Sequence, residues 1–281
     1  MIRGHSLLDT VLAAPRAAAG SLESLLRAMG SLPGASGPAA GAPRAPAVAV
    51  HGSIDDVIAR MTALGRRFEH EYGPGDGVLW FNRLYLAVTR GVKRAVARPG
   101  FFRNPSAIAR LDVIFAQLYF DAVDAVDRGQ HPAAWGWRLL FTARERPGVL
   151  PIQFAVAGMN AHINHDLPIA LLEQWELSRR RPDISSPAYA DFCAVNKILK
   201  AEERKLKARL EPEVVSALDR GEISRLDDRL GLWVVEEARA RAWRAADVLW
   251  DVRHLPPVRA AWERTIDGTV GALGEVLIQP L

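Results

Sequence analysis

The stretch GMNAHINHDLPIALLEQWE, residues 158–176, sets Asn160, His162, Asn164, His165 and Asp166 within seven residues, directly after the apolar run LPIQFAVAGM. An imidazole next to a carboxylate can move protons near neutral pH, because histidine titrates there and the carboxylate fixes which ring nitrogen carries the proton. Residues three and four apart share a helix face, so His162 lies beside His165 and Asp166, and Asn160 beside Asn164. His162 and Asp166, with Asp112 from another helix, are the candidate catalytic groups. Imidazole and carboxylate are also the usual ligands of zinc, iron and manganese. His162, His165 and Asp166 are therefore the candidate metal ligands, and a divalent transition metal is the cofactor they would take.

Polar side chains on other apolar stripes supply partners. Asp112 interrupts the stripe Ile108, Leu111, Phe115, Leu118 and Tyr119. Arg239 interrupts Leu232, Val235, Ala242, Ala246 and Leu249, and a buried arginine there calls for a buried carboxylate, Asp112 or Asp166. Asn82 in LWFNRLYL, and Asp191 and Asn196 in DFCAVNKIL, also sit among apolar neighbours. Together with Asn160, Asn164 and Arg239 they are the candidate ligand-binding residues of a polar chamber lined from several helices. The competing explanation is a buried hydrogen-bond network that fixes helix packing. Eight tryptophans, among them Trp80, Trp135, Trp137 and Trp243, could line such a chamber, though core packing is their commoner role.

The elements that position these groups read as helices throughout. Ser53 and Asp56 form a capping-box start for SIDDVIARMTALGRRFEHEY, and GPGDG at 73–77 ends that helix. Asn104 caps and Pro105 opens the next helix but one, which stops at Gly129. The helix from about Leu150 to Leu177 carries the polar cluster, and up to Met159 it is apolar on nearly every side after Gln153, so its axis should run through the core. Pro168 has no N–H, which deprives the Asn164 carbonyl of its helical partner and predicts a kink or bulge directly after the cluster. About eight helices follow from this pass: an all-α fold, one multi-helix domain over 53–281. Ahead of it lie an N-terminal helical extension, 1–30, and an Ala/Pro/Gly-rich linker, 31–52, too poor in burial surface to order itself.

Composition removes several classes of function. A net charge of +4, with arginines scattered among acids, is too dilute for a nucleic-acid surface. No apolar run reaches the roughly 18 residues of a transmembrane helix. Asp9 breaks the only stretch resembling a signal peptide, which points to the cytoplasm. The single cysteine, Cys193, leaves no internal disulfide framework and no cysteine-rich zinc site. His-Glu-x-x-His, Glu-x-x-His, Asp-Asp-x-x-Asp, Walker A, Gly-x-Gly-x-x-Gly and nucleophile-elbow motifs are all missing.

GMNAHINHDLPIA, with FNRLYLAVTRGV, RLDVIFAQLYFDA, DFCAVNKIL and EEARARAWRAADVLW, resembles a bacterial family catalogued as domain of unknown function 5995. The similarity covers roughly residues 54–252, and Asn-Ala-His-Ile-Asn is its most specific part. It implies a helical domain and assigns no chemistry. From the residues themselves the leading expectation is a soluble helical enzyme, metal-dependent or not, acting on a small, largely apolar molecule. The alternatives are a non-catalytic ligand-binding or sensor protein, and a structural domain that docks a partner.

Overall fold

The computed structural model describes residues 52–219 and 235–280. Among these, every regular element is helical: α1 (Ile54–Tyr72), α2 (Gly77–Val96), α3 (Pro105–Asp127), α4 (Trp135–Ala143), α5 (Pro151–Asn160), a π-helical segment (Ala161–Asp166), α6 (Leu167–Ser178), α7 (Pro187–Asp219), α8 (Val235–Val252) and α9 (Pro256–Leu277). The fold is all-α. The expected N-terminal extension and, Gly52 apart, the expected linker lie outside the described residues. Among the described residues no helix is long and apolar enough to cross a membrane.

Local chemistry sets the helix starts. Ser53 accepts the Asp56 N–H while the Asp56 carboxylate accepts the Ser53 N–H at 2.7 Å, closing the capping box of α1. Asp76 caps α2 by accepting the N–H groups of Val78 and Leu79. The same carboxylate takes two bonds from Arg144, 2.7 and 2.8 Å, so the start of α2 is bolted to the end of α4. Asn104 caps α3, with Pro105 at its first position.

α5, the π segment and α6 form one continuous rod, and α2, α3, α4, α7, α8 and α9 all pack on it. Its apolar first half is buried on almost every side, which puts the rod along the axis of the core. The close approach of α2 depends on two glycines. A Cβ at Gly77 would stand 2.5 Å from Phe154, and one at Gly158 would stand 2.5 Å from Phe81. Each phenylalanine fills the notch left by the other helix's glycine. One turn further along both helices the next pair is Tyr85 and His162, whose rings are 4.4 Å apart. Thus a packing ladder, stepping four residues at a time on each helix, delivers the histidine to α2.

The irregularity that Pro168 predicts lies inside the polar cluster and not after it. The Leu167 N–H bonds the His162 carbonyl five residues back, the π-helical pattern. A proline ring clashes with the carbonyl four residues earlier, here Asn164. Widening the turn upstream of the proline relieves that clash, so the bulge falls on residues 161–166.

Candidate functional site

Asp166 is the hub of the cluster, and it is buried. Its Oδ2 accepts the indole N–H of Trp137 at 2.9 Å and meets His162 Nδ1, also at 2.9 Å. Its Oδ1 meets His165 Nδ1 at 2.7 Å. His162 is fully buried and stacks on Phe115, with centroids 3.5 Å apart and planes 6° from parallel. Phe81 and Tyr85 meet the same ring edge-on. Because Nδ1 is committed to Asp166, that nitrogen is assigned the proton, and Nε2 remains as the lone-pair acceptor. Nε2 has no hydrogen-bond partner among the described residues.

His162 borders a cavity of about 50 Å³ between α2, α3, the rod, α7 and α8. The wall is mostly aliphatic and aromatic, with Val88, Ile108, Met159 and Leu199 typical. Among the described residues four polar side chains break it: Tyr85, Asp112, His162 and Arg239. Three of these have a buried polar atom with no partner among the described residues, namely Tyr85 Oη, Asp112 Oδ2 and His162 Nε2. Leaving such atoms buried and unpaired costs about 1–3 kcal/mol each, and three of them border one cavity.

Burial controls the protonation of these groups. It pushes Asp112 up to about 7, and among the described residues no cation offsets it. Burial raises Tyr85 well above its ordinary range, and the charge of Asp112 adds to the shift, so the phenol stays protonated. Burial pulls His162 down, only partly opposed by its hydrogen bond to Asp166, and the ring is neutral at pH 7. For His165 burial also pulls down, but the hydrogen bond and charge of Asp166, helped by Asp267 and Glu263, outweigh it and the net shift is upward. Burial would raise Asp166, yet the hydrogen bonds from both histidines hold it below the usual range. The result is a carboxylate sharing charge with His165 and orienting a neutral His162.

Only some of the expected residues meet at the cavity. His162, Asp112 and Arg239 line it, and Asp166 stands behind His162. Asn160 and Asn164 do not line it: Asn164 donates to Asn160, which donates to the Val270 carbonyl and ties the rod to α9. Asn82 donates to the Met61 carbonyl and accepts from Tyr119, locking α1, α2 and α3 together. Asp191 accepts the N–H groups of Arg103 and Asn104, so it caps the entry to α3. Asn196 acts on Arg239 by accepting its Nε–H at 2.7 Å. The expected carboxylate partner of Arg239 is corrected: the guanidinium bonds Asn196 and the Phe192 carbonyl, and it also lies over the Phe192 ring. Two neutral acceptors and an aromatic face meet it where the sequence suggested Asp112 or Asp166.

For the metal ligands the geometry is specific. His162 and His165 each turn Nδ1 onto a different oxygen of Asp166, so these three pair with one another and do not converge on a shared centre. Among the described residues no group of three or more His, Cys, Asp or Glu side chains is placed to hold a metal ion. Of the tryptophans, Trp137 serves as a donor to Asp166, and Trp243 packs against Trp175, Tyr189 and Phe192. Neither these two nor Trp80 or Trp135 lines the cavity. Sequence reasoning missed Tyr85 and Phe115. Tyr85 follows Phe81 by four residues, and its hydroxyl on an apolar stripe was the available signal.

Fold and site together define an all-α protein with a mostly apolar cavity lined by His162, which a buried carboxylate orients. The chain belongs to the Family of unknown function (DUF5995), whose model matches residues 54–280 and so runs through α9. No curated protein and no solved structure matches it.

Proposed function

We propose that this protein is a cytoplasmic enzyme carrying out general acid–base chemistry on a small, largely apolar molecule held in the cavity. One observation carries the proposal: His162, oriented through Nδ1 by a buried carboxylate and with Nε2 unpaired, lines a mostly apolar cavity together with Asp112, whose Oδ2 is also unpaired. A neutral imidazole with a fixed tautomer is a base, and a carboxyl near pH 7 is an acid that can return a proton. His162 Nε2 takes a proton from the substrate, and Asp166 stabilises the imidazolium that forms. Asp112 delivers a proton elsewhere on the substrate, and back-transfer through solvent or product resets both groups.

Binding without turnover is the second reading, supported by the predominance of apolar wall over polar groups. Incubating the full chain with a small-molecule extract and following every compound by mass spectrometry separates the two. Catalysis predicts a compound consumed by wild type, with the rate lowered about 100-fold or more in His162→Gln and in Asp112→Asn. A compound that wild type retains and returns unchanged supports a binder instead.

A further inference from the structure

Acid–base chemistry at His162 and Asp112 leaves Arg239 without a task. It reaches the same cavity from α8 and is itself buried. Its Nε–H goes to Asn196 at 2.7 Å and one Nη2–H to the Phe192 carbonyl at 2.8 Å, both neutral acceptors. Among the described residues no carboxylate pairs with it, so within them the positive charge is hydrogen-bonded but not neutralised. Burial lowers its pKa to about 10, which still leaves it cationic at pH 7. Guanidinium has five N–H donors. With Nε and one hydrogen of Nη2 used, the three that remain are at the Nη end, where arginine grips a carboxylate through two parallel bonds.

We infer that Arg239 is the anchor for an anionic head group, and that the molecules this site takes are small apolar carboxylic acids. The carboxylate pairs with the Nη atoms of Arg239, Asn196 holds the guanidinium in place as a positioning residue, and the aliphatic body lies against Val88, Ile108, Val195 and Leu199. A cavity of about 50 Å³ holds the centres of roughly four water molecules. An acid of about four to six carbons suits that volume. Carboxylate suits the site better than phosphate, because three remaining donors match two oxygens and the surrounding wall is apolar. The inference rests on the proposed acid–base site only for which end of the acid reacts; the anchor stands on Arg239 alone.

Calorimetric titration of the full chain at pH 7 with sodium 3-methylbutanoate and with the uncharged 3-methylbutanamide tests it. Wild type is expected to bind the carboxylate at least about tenfold more tightly than the amide. Arg239→Gln should erase that preference, and Arg239→Lys should keep part of it. His162→Gln, which leaves Arg239 intact, should keep all of it. Equal binding of the two compounds, binding of neither, or a preference that survives in Arg239→Gln overturns the anchor. If Arg239→Gln does not fold, the wild-type comparison and Arg239→Lys decide. A preference lost in His162→Gln but kept in Arg239→Gln moves the anion to the histidine, overturning the anchor without touching His162 as a base.

Discussion

Asp112→Asn exchanges a buried carboxyl for an amide of the same shape and removes one titration. In the folded chain burial raises this carboxyl from 3.8 to about 7. Well below pH 3.8 both folded and unfolded chains hold the proton, and the group is at its most favourable for folding. As the pH rises the unfolded chain loses the proton while the folded chain keeps it, so folding must take up a proton at a cost of about 1.4 kcal/mol per pH unit. Over the window from 3.8 to about 7 this amounts to about 4 kcal/mol, fully lost by pH 8. The amide carries no such cost. The stability of the variant relative to wild type should therefore improve by about 2–3 kcal/mol between pH 5 and pH 8. The groups that face Asp112 across the cavity, Tyr85, His162 and Arg239, are present in both proteins and cancel in the difference. Urea denaturation of both proteins at pH 5, 6, 7 and 8 measures it. A difference that stays flat to within about 0.5 kcal/mol would mean that Asp112 is ionised or solvated in the fold, and the acid of the proposed pair would be lost.

Asp166→Asn keeps one carbonyl oxygen for three donors, Trp137, His162 and His165, and forfeits their charge assistance. It should cost about 2–4 kcal/mol at pH 7, and a loss below about 1 kcal/mol in urea denaturation refutes its role as the hub. Arg144→Met leaves Asp76, whose side chain is fully buried, with only the N–H groups of α2 as partners. A destabilisation of about 3 kcal/mol is expected. A thermal midpoint unchanged from wild type would show that the caps alone satisfy the carboxylate.

The helices were legible because their signals are local. Ser53 with Asp56, Asn104 with Pro105, and the 3–4 spacing of apolar residues each act within one turn. The pairing of His162 with Asp166 and of Asn160 with Asn164 was readable for the same reason, being four residues apart on one helix. What sequence could not supply was the choice among distant partners. Arg239 had two plausible carboxylates by type, and the fold gave it Asn196 and a backbone carbonyl, both on α7, which packs directly on α8. Asn82 and Asp191 carried the same apolar context as Asp112, yet each found a backbone group nearby, Met61 in one case and Arg103 with Asn104 in the other. Of these three, only Asp112 kept an atom unpaired at the cavity. A polar residue on an apolar stripe announces a buried partner or a site, and the stripe alone does not say which.

The central claim is that His162 is a neutral base, with its proton on Nδ1 and a free Nε2. Nitrogen NMR of the full chain labelled at histidine, with the His162 signals assigned from a His162→Gln sample, reads both features directly. Burial lowers the pKa of this ring, so at pH 7 the signals should be those of a neutral imidazole protonated at Nδ1, with Nε2 at the shift of an unprotonated nitrogen. A charged imidazolium at pH 7, or a neutral ring with its proton on Nε2, would contradict the account.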